Sequence, residues 1–423
     1  MLFLIGGFLF LIALGFPIVF SMAITSLLYL AVYGIPIITI AQKMVIGIDS
    51  YALLAIPFFI LAGNLMNMGG VTQRLFRFAT AMVGHIPGGL GHANVLASMI
   101  FAGMSGSAVA DAGGLGTIEI KAMTDEGYDI GFSAAVTAAS STIGPIIPPS
   151  IPMVIYASIA NVSVGKLFLA GAVPGILMGV ALMIMVYFVA KKRNYPVHAK
   201  FSLKEAVTSF CDGFLPLMTP AIILGGILGG IFSPTEAAMA ASAWAIFLGM
   251  LVYKEIRIRD LLPIVMNTIK TTSIVAFIIS AACIFGWLLG REQVPQSVAQ
   301  LLFSISRDPN VFMFIVIVFL LIVGCVMEPA AAIILLTPIL VPAAVQLGID
   351  PVHFGLVLVL DLMIGLLTPP VGVVLYITAN VAKISFEEMS RVCAPYLIPL
   401  IIVLLISAFY PPIVMTLPNL LIR

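Results

Sequence analysis

The 423-residue sequence predicts an all-α polytopic membrane protein built from two inverted-topology repeats. Three observations support this fold class: the composition, the long apolar runs and a self-similarity at a constant offset. Hydrophobic residues make up 62% of the chain and charged residues 9%, against roughly 45–50% and 25% in soluble domains. So few charges cannot cover a water-exposed surface. The net charge of +1 gives no electrostatic support for binding nucleic acid.

Long apolar runs predict the membrane-spanning helices in chain order. Residues 1–33 are almost uninterrupted apolar sequence, and we expect them to form one spanning helix. Further spans are predicted over residues 53–68, 167–190, 214–231, 237–253, 273–290, 311–326 and 396–418. Residues 71–83 and 254–267 mix basic and apolar residues and are expected to form amphipathic helices on the membrane surface.

The basic residues predict the orientation of the chain. They cluster in two loops, which contain Lys191, Lys192, Arg193, Lys200 and Lys204, and Lys254, Arg257 and Arg259. The positive-inside rule places both loops in the cytoplasm. Arg74 and Arg77 place the end of the second span on the same side. We therefore expect a cytoplasmic N-terminus and a periplasmic C-terminus.

An internal repeat relates two parts of the chain at an offset of 221 residues. Gly103 corresponds to Gly324, Gly144 to Gly365, and the pair Pro148-Pro149 to Pro369-Pro370. The basic loop after Ala190 corresponds to residues 411–422, which contain no Lys or Arg. Equivalent points are therefore expected on opposite faces of the membrane, so the repeats are predicted to be inverted. Inverted repeats with broken helices are typical of secondary transporters, whose sites lie near the membrane midplane.

The first repeat contains two interruptions that favour ion binding. Half-length apolar segments, 91–102 and 108–123, flank residues 103–107 and predict a re-entrant helical hairpin. Residues 140–152 then interrupt a second helix with hydroxyl residues and four prolines. Proline ends a helix and leaves the preceding carbonyl groups without partners. A hairpin tip that meets this break would form an oxygen-lined pocket suited to a hard cation such as Na⁺.

The second repeat has the same design with different side chains. Residues 324–329 form its predicted tip and residues 365–370 its break; Ser107 becomes Glu328, and Ser140 becomes Asp361. Asp111, Glu328 and Asp361 all lie in apolar surroundings, where a carboxylate is costly and usually functional. Structural alternatives are helix capping for these acids, kinking for the proline pairs, and close helix packing for the glycine and serine tip.

These motifs resemble those of the large membrane subunit of tripartite ATP-independent periplasmic (TRAP) transporters. The resemblance rests on residues 103–111, 144–152 and 328–370. It implies an elevator-type, ion-transporter-like fold and Na⁺-coupled uptake of a small organic acid across the bacterial inner membrane. It also implies two protein partners: a periplasmic substrate-binding protein and a small four-helix membrane subunit. Because the sequence starts directly at the large subunit, we expect the small subunit to be a separate chain.

The resemblance implies at least two Na⁺ sites and a substrate pocket between the hairpin tips. The first site would use Ser105, Ser107, Gly144, Ile147 and Pro149. The second site would use Gly324, Gly365 and Thr368. Asp111, Glu328 and Asp361 are assigned to substrate binding or coupling. The substrate class stays open among a dicarboxylate, a sialic acid and a sugar acid.

The two repeats predict which parts of the chain move and which form a fixed scaffold. The mobile transport parts are residues 86–190 and 306–423, and the scaffold parts are residues 1–85 and 191–305, each scaffold part with a surface arm helix. An alternative is a proton-coupled carboxylate or ion exchanger that uses Asp111, Glu328 and Asp361 as a relay. A channel is a further alternative. An intramembrane enzyme would need a nucleophile–base pair or a metal cluster, and the sequence offers neither; the chain is therefore not expected to be an enzyme.

Overall fold

All regular elements are helices in the computed structural model, which describes residues 2–195 and 201–422. Lys200 of the predicted basic loop lies outside the described residues. Among the described helices, seven are long and apolar enough to cross a membrane, or eight if one bent pair counts as a single span. That pair is Val294–Ile305 with Pro309–Gly324, bent by 118°. The prediction of an all-α polytopic protein is confirmed.

The N-terminal part begins with two helices where one was expected. Its elements are α1 (Leu2–Ala13), α2 (Ile18–Val32), α3 (Ile38–Ile48), the 3₁₀ turn Tyr51–Leu54, α4 (Ala55–Met68) and α5 (Val71–Val83). The prediction of one helix over residues 1–33 is wrong because the chain turns at residues 14–17. Gly15 has a φ of +86°, and Pro17 has no N–H to continue the helical ladder. Residues 71–83 form a helix as predicted.

The first repeat contains the expected half-length helices and an interrupted helix. Its elements are α6 (Gly89–Ser105), α7 (Ala108–Ala110), a π-helical stretch (Asp111–Leu115), α8 (Gly116–Asp125), α9 (Ile130–Ser141), α10 (Ile151–Ala160) and α11 (Val164–Arg193). Residues 103–107 are the first tip; α7, the π-helical stretch and α8 continue from it as one arm. Residues 142–150 are the first break, and the Pro148–Pro149 peptide bond within it is cis.

The segment between the repeats differs from the prediction at one helix. Its elements are α12 (Leu203–Leu228), α13 (Pro234–Ile246), a π-helical stretch (Phe247–Val252), α14 (Ile258–Arg291) and α15 (Val294–Ile305). The expected separation of a surface helix over residues 254–267 from the following span is wrong, because α14 is continuous over 34 residues. Residues 267–273 contain neither Gly nor Pro, so no residue there ends the helix.

The second repeat reproduces the element order of the first. Its elements are α16 (Pro309–Gly324), α17 (Pro329–Gln346), α18 (Pro351–Gly365), α19 (Val373–Ala382), α20 (Phe386–Phe409) and α21 (Pro412–Leu421). Residues 324–328 are the second tip and residues 365–372 the second break. The arms after the two tips start at Ala108 and Pro329, which are 221 residues apart. The Pro369–Pro370 bond is cis, like its counterpart in the first repeat.

Two groups of helices pack around the tips. In one group, α3 and α4 contact α14, and α4 also contacts α13. In the other group, α9, α11 and α18 all contact α20. Contacts of α4 with α6 and of α14 with α17 connect the first group to the helices that carry the two tips. Each tip helix therefore adjoins a helix from outside its own repeat.

Ion pairs gather the basic segments on one side of the molecule. Arg74 of α5 bonds Glu255, which precedes α14, at 2.8 Å. Arg77 of α5 contacts two carboxylates of α12, Glu205 and Asp212, at 2.9 Å each. The end of the second span and the segments next to both predicted basic loops therefore lie together.

The C-terminal end of α11 is tied to the start of α9. Arg193 donates to Asp129 at 2.8 Å, and the Tyr195 hydroxyl also donates to this carboxylate. The Tyr195 hydroxyl and the Arg193 guanidinium together hold the pKa of Asp129 below its ordinary value. The pair is largely exposed, so its contribution to stability is small.

Candidate functional site

The first tip is a tight turn between two helices. Ser105 is the last residue of α6, and Gly106 follows with a φ of +60°. Ser107 then caps the next arm, because its hydroxyl accepts the Ala110 N–H at 3.4 Å. A Cβ atom at Gly106 would lie 2.6 Å from the Pro149 carbonyl oxygen. The tip backbone therefore approaches the first break too closely for a side chain.

Asp111 joins the tip to the break. The Ser105 hydroxyl donates to Asp111 Oδ1 at 2.6 Å. The other carboxylate oxygen has no hydrogen-bond partner among the described residues, although the side chain is only 1% exposed. A Cβ atom at Gly144 would lie 2.8 Å from this oxygen. The predicted ligands Ser105 and Gly144 thus adjoin the two oxygens of one carboxylate, and the unpaired oxygen beside Gly144 is a favourable position for a cation.

The remaining residues of the first predicted site lie in the first break. Pro149 contributes the carbonyl that faces Gly106, and the Ile147 side chain points towards Gly175 of α11. Ser150 donates to the Pro145 carbonyl and accepts the Met153 N–H at 3.2 Å. One of the carbonyls that the prolines were expected to free is therefore already paired.

The second tip and break are in direct backbone contact. A Cβ atom at Gly365 would lie 2.6 Å from Gly324 Cα. The Cys325 thiol donates to the Thr368 hydroxyl at 3.1 Å, and that hydroxyl donates to the Gly365 carbonyl at 2.7 Å. The structure thus brings Gly324, Gly365 and Thr368 together, as the second predicted site requires.

Glu328 and Asp361 occupy different environments. Glu328 caps α17, since its carboxylate accepts the Ala331 N–H at 3.0 Å; this is the position that Ser107 holds in the first repeat. Asp361 is buried in α18, one turn before Gly365, and neither of its oxygens has a partner among the described residues. Glu328 also lines a cavity between the two tips, whereas Asp361 does not.

A cavity of about 460 Å³ lies between the two tips. Residues 105–110 and 328–330 line it from the two repeats, and Asn64, Asn267 and Thr271 line it from α4 and α14. Asn267 belongs to the segment that was expected at the membrane surface; the continuity of α14 places it beside the tips. None of the described residues that line the cavity is Lys or Arg.

One buried acid was not predicted from the sequence. Glu119 of α8 is 0% exposed, and both of its carboxylate oxygens lack a partner among the described residues. The available signal was an acid within the apolar segment 108–123, which also contains Asp111. The structure places Glu119 among the helices of the first repeat.

The chain matches a family of transporter proteins. A family model described as the DctM component of the tripartite ATP-independent periplasmic transporter matches residues 5–413. The chain belongs to this family. It is 47% identical over 417 residues to the sialic acid TRAP transporter large permease protein SiaM of Vibrio cholerae, and the match covers 98% of each chain. It is 42% identical over 381 residues to the C4-dicarboxylate TRAP transporter large permease protein DctM of Pseudomonas aeruginosa, covering 90% and 89%.

Solved transporter structures share the fold of this DctM-family chain. The YdaH transporter of Alcanivorax borkumensis superposes with a TM-score of 0.66 at 12% identity, covering 88% of this chain and 87% of YdaH. MtrF of Neisseria gonorrhoeae gives a TM-score of 0.64 at 14% identity, covering 88% and 84%. At these identities the likeness concerns the fold alone. The resemblance inferred from the motifs is confirmed, and the chain is a multi-pass membrane component of a transporter rather than an enzyme.

Proposed function

We propose that this chain carries out Na⁺-coupled secondary uptake of a small organic acid by elevator-type alternating access. The observation that supports this most strongly is the paired arrangement of tips and breaks. In each repeat a glycine-containing tip meets a Pro-Pro break, and hydroxyl, carbonyl or carboxylate oxygens converge there. Oxygen ligands of these kinds suit Na⁺. Ser105, Ser107, Gly144, Ile147 and Pro149 would form one Na⁺ site, and Gly324, Gly365 and Thr368 the other.

The cavity between the tips is the proposed substrate site. Without Lys or Arg among the described lining residues, an anion depends on helix N-termini, hydroxyls, amides and the bound cations. Glu328 already occupies the N-terminus of α17, whereas only a serine caps the arm after the first tip. We therefore place the substrate carboxylate nearer Ser107, with Asn64 and Asn267 supplying amide donors. The relatives named for sialic acid and C4-dicarboxylates support an organic acid as the substrate class.

The proposed motion shifts residues 86–190 and 306–423 against residues 1–85 and 191–305. The two repeats would be inverted in the membrane, as the unequal distribution of basic residues favours. The ion pairs of Arg74 and Arg77 support a single side of the membrane for the basic segments, and the positive-inside rule makes that side the cytoplasm. The N-terminus would be cytoplasmic and the C-terminus periplasmic. The membrane would be the bacterial inner membrane. A periplasmic binding protein and a small four-helix membrane subunit would be the partners.

Removing one hydroxyl ligand from each site tests the Na⁺ assignment. We expect Ser107→Ala and Thr368→Ala each to raise the Na⁺ concentration for half-maximal uptake by about ten- to a hundredfold, because a hydrogen-bond-type contact to a charged group contributes about 1.5–3 kcal/mol. The measurement is Na⁺ titration of substrate uptake in proteoliposomes that contain the membrane subunits and the binding protein.

Ser304→Ala is the matched control for these variants. Its hydroxyl is exposed and donates to the Leu301 carbonyl of its own helix, so its Na⁺ dependence should equal that of the wild type. Thermal unfolding of each variant separates a lost ligand from a lost cap, since Ser107 also caps its arm. Unchanged half-saturation by Na⁺ in both site variants would refute the two assignments.

A further inference from the structure

Glu119 has no role in the Na⁺ sites or the substrate cavity described above. It lies on α8, in the arm that follows the first tip, and it is completely buried. Neither carboxylate oxygen has a hydrogen-bond partner in the part of the chain that the structure describes. An ionised carboxylate in such surroundings is costly unless a cation or a proton accompanies it. The buried Glu119 carboxylate therefore needs a cation or a proton as its partner.

Two contacts define the direction in which Glu119 faces. A Cβ atom at Gly116 would lie 2.6 Å from Thr137 Cγ2 of α9. The Asn94 amide of α6 lies 3.8 Å from the Met123 sulfur. In a helix, positions 116, 119 and 123 share one face. Glu119 thus lies between these contacts and faces α6 and α9.

A chain of hydrogen bonds crosses this interface and ends beside Glu119. Ser98 donates to Ser140 at 3.0 Å, and Ser140 donates to Asn94 Oδ1 at 2.8 Å. The Asn94 amide then donates to the Thr137 hydroxyl at 2.7 Å. Thr137 faces Gly116, one turn of α8 from Glu119. The buried acid therefore adjoins the polar layer that these residues of α6 and α9 form.

The π-helical stretch aligns Glu119 with the first Na⁺ site. A π-bulge inserts one extra residue into an α-helix. Asp111 is the first residue of this stretch, and Glu119 lies eight residues later, beyond its end. With one residue inserted between them, they are related like positions i and i+7 of an α-helix, which lie on one face. The two carboxylates interact electrostatically. A charge on Glu119 would therefore repel the Asp111 carboxylate, and this repulsion adds to the cost of ionising Glu119 in a buried position.

We propose that Glu119 is a proton-binding site, separate from the Na⁺ sites, that makes the transport cycle pH-dependent. The transport readout rests on the proposed function, but the site itself does not. A proton fits better than a metal ion because the neighbouring oxygens already form the hydrogen-bond chain, and the adjoining Ile120 and Met123 are apolar. Within the described residues, no three His, Cys, Asp or Glu side chains are grouped as metal ligands would be.

Few other ionisable groups surround Glu119. Of the elements packed against α8, α6 contributes His92, the π-helical stretch contributes Asp111 and α19 contributes Tyr376, while α9 contains no ionisable residue. Lys383 follows α19. On α8 itself, Lys121 and Asp125 are exposed. If a titration disappears when Glu119 is replaced, few other nearby groups could account for it. The titration can then be assigned to Glu119.

Infrared spectroscopy tests the protonation directly. The full-length chain, purified with its membrane partner, is compared with Glu119→Gln and with the exposed control Asp125→Asn. The wild type and the control should show a carboxylic-acid carbonyl band that Glu119→Gln lacks. An identical band in all three would overturn the proposal. If Glu119→Gln does not accumulate as folded protein, Glu119→Asp should shift the band, and an unshifted band would equally overturn it.

Uptake measured against pH at saturating Na⁺ supplies the functional readout. Raising the pH removes the proton, so wild-type uptake should fall by up to about tenfold per pH unit where one group titrates. Glu119→Gln mimics the protonated acid and should give a flatter profile, with an unchanged Na⁺ requirement at low pH. Coincident profiles for wild type and Glu119→Gln would contradict the proposal. Failure of the Na⁺ assignment would instead appear in Ser107→Ala and Thr368→Ala, with the infrared band intact.

Discussion

Gly365→Ala is expected to reduce Na⁺-driven uptake by about ten- to a hundredfold while the chain still inserts into the membrane. The added Cβ would lie 2.6 Å from Gly324 Cα and 2.7 Å from the Gly324 carbonyl carbon. Both are backbone atoms and cannot rotate away, so the second tip and break must separate. Overpacking of this kind costs about 1–3 kcal/mol. We expect this separation to weaken Na⁺ binding at the second site. The measurement is Na⁺-driven uptake at matched protein amounts.

Gly286→Ala is the matched control for this substitution. Gly286 lies inside α14, and an added Cβ there would meet no described atom outside its own helix within 4 Å. Alanine favours helix over glycine by about 1 kcal/mol, so the control should be at least as stable as the wild type. Wild-type uptake and wild-type Na⁺ affinity in Gly365→Ala would show that the contact between Gly324 and Gly365 is not part of an ion site.

A disulfide between positions 50 and 158 is expected to stop uptake almost completely. The Ser50 and Ser158 hydroxyl oxygens are 3.3 Å apart. Ser50 precedes α4 in the proposed scaffold, and Ser158 lies on α10 in the proposed transport part. Small side-chain adjustments bring two sulfurs at these positions to the bonding distance of about 2 Å. A covalent link between a fixed and a moving part prevents alternating access, so reduction should restore uptake.

The double variant Ser50→Cys with Ser158→Cys requires two controls. Cys283 lines a second cavity together with Ser50 and Ser158. It should be replaced by serine so that it cannot form a disulfide with either introduced cysteine. Phe78→Cys with Gly213→Cys provides a link inside the scaffold, because a Cβ at Gly213 would lie 3.9 Å from the Phe78 Cβ. This second disulfide should leave uptake intact. Full activity of the oxidised 50–158 variant, with cross-linking verified by mass, would contradict the proposed motion.

The repeated elements were predictable because their signals are local and occur twice. The pairs Pro148-Pro149 and Pro369-Pro370 end helices wherever they occur, and their common offset gives the register of the two repeats. The small residues at Gly103 and Gly324 indicate close backbone approach. The capping role of Glu328 was an open alternative in the sequence. The structure shows that its carboxylate accepts a hydrogen bond from the Ala331 N–H.

Three features depended on information that hydropathy does not carry. The turn at Gly15 and Pro17 divides an apolar run whose composition does not change. The continuity of α14 follows from the absence of a helix-ending residue, although its first turns carry charges typical of a surface helix. The burial of Glu119 results from tertiary packing of α8 on α6 and α9, and the π-helical stretch that aligns it with Asp111 has no clear sequence signal.

The most direct test of the central claim is the Na⁺ dependence of substrate uptake at fixed pH. Proteoliposomes should contain this chain with its small membrane subunit, and the binding protein should present the organic acid from outside. An inward Na⁺ gradient is predicted to drive accumulation, and replacement of Na⁺ by K⁺ or choline should abolish it. Accumulation that is indifferent to Na⁺ and follows an imposed pH gradient would contradict the account and favour a proton-coupled exchanger that uses Asp111, Glu328 and Asp361.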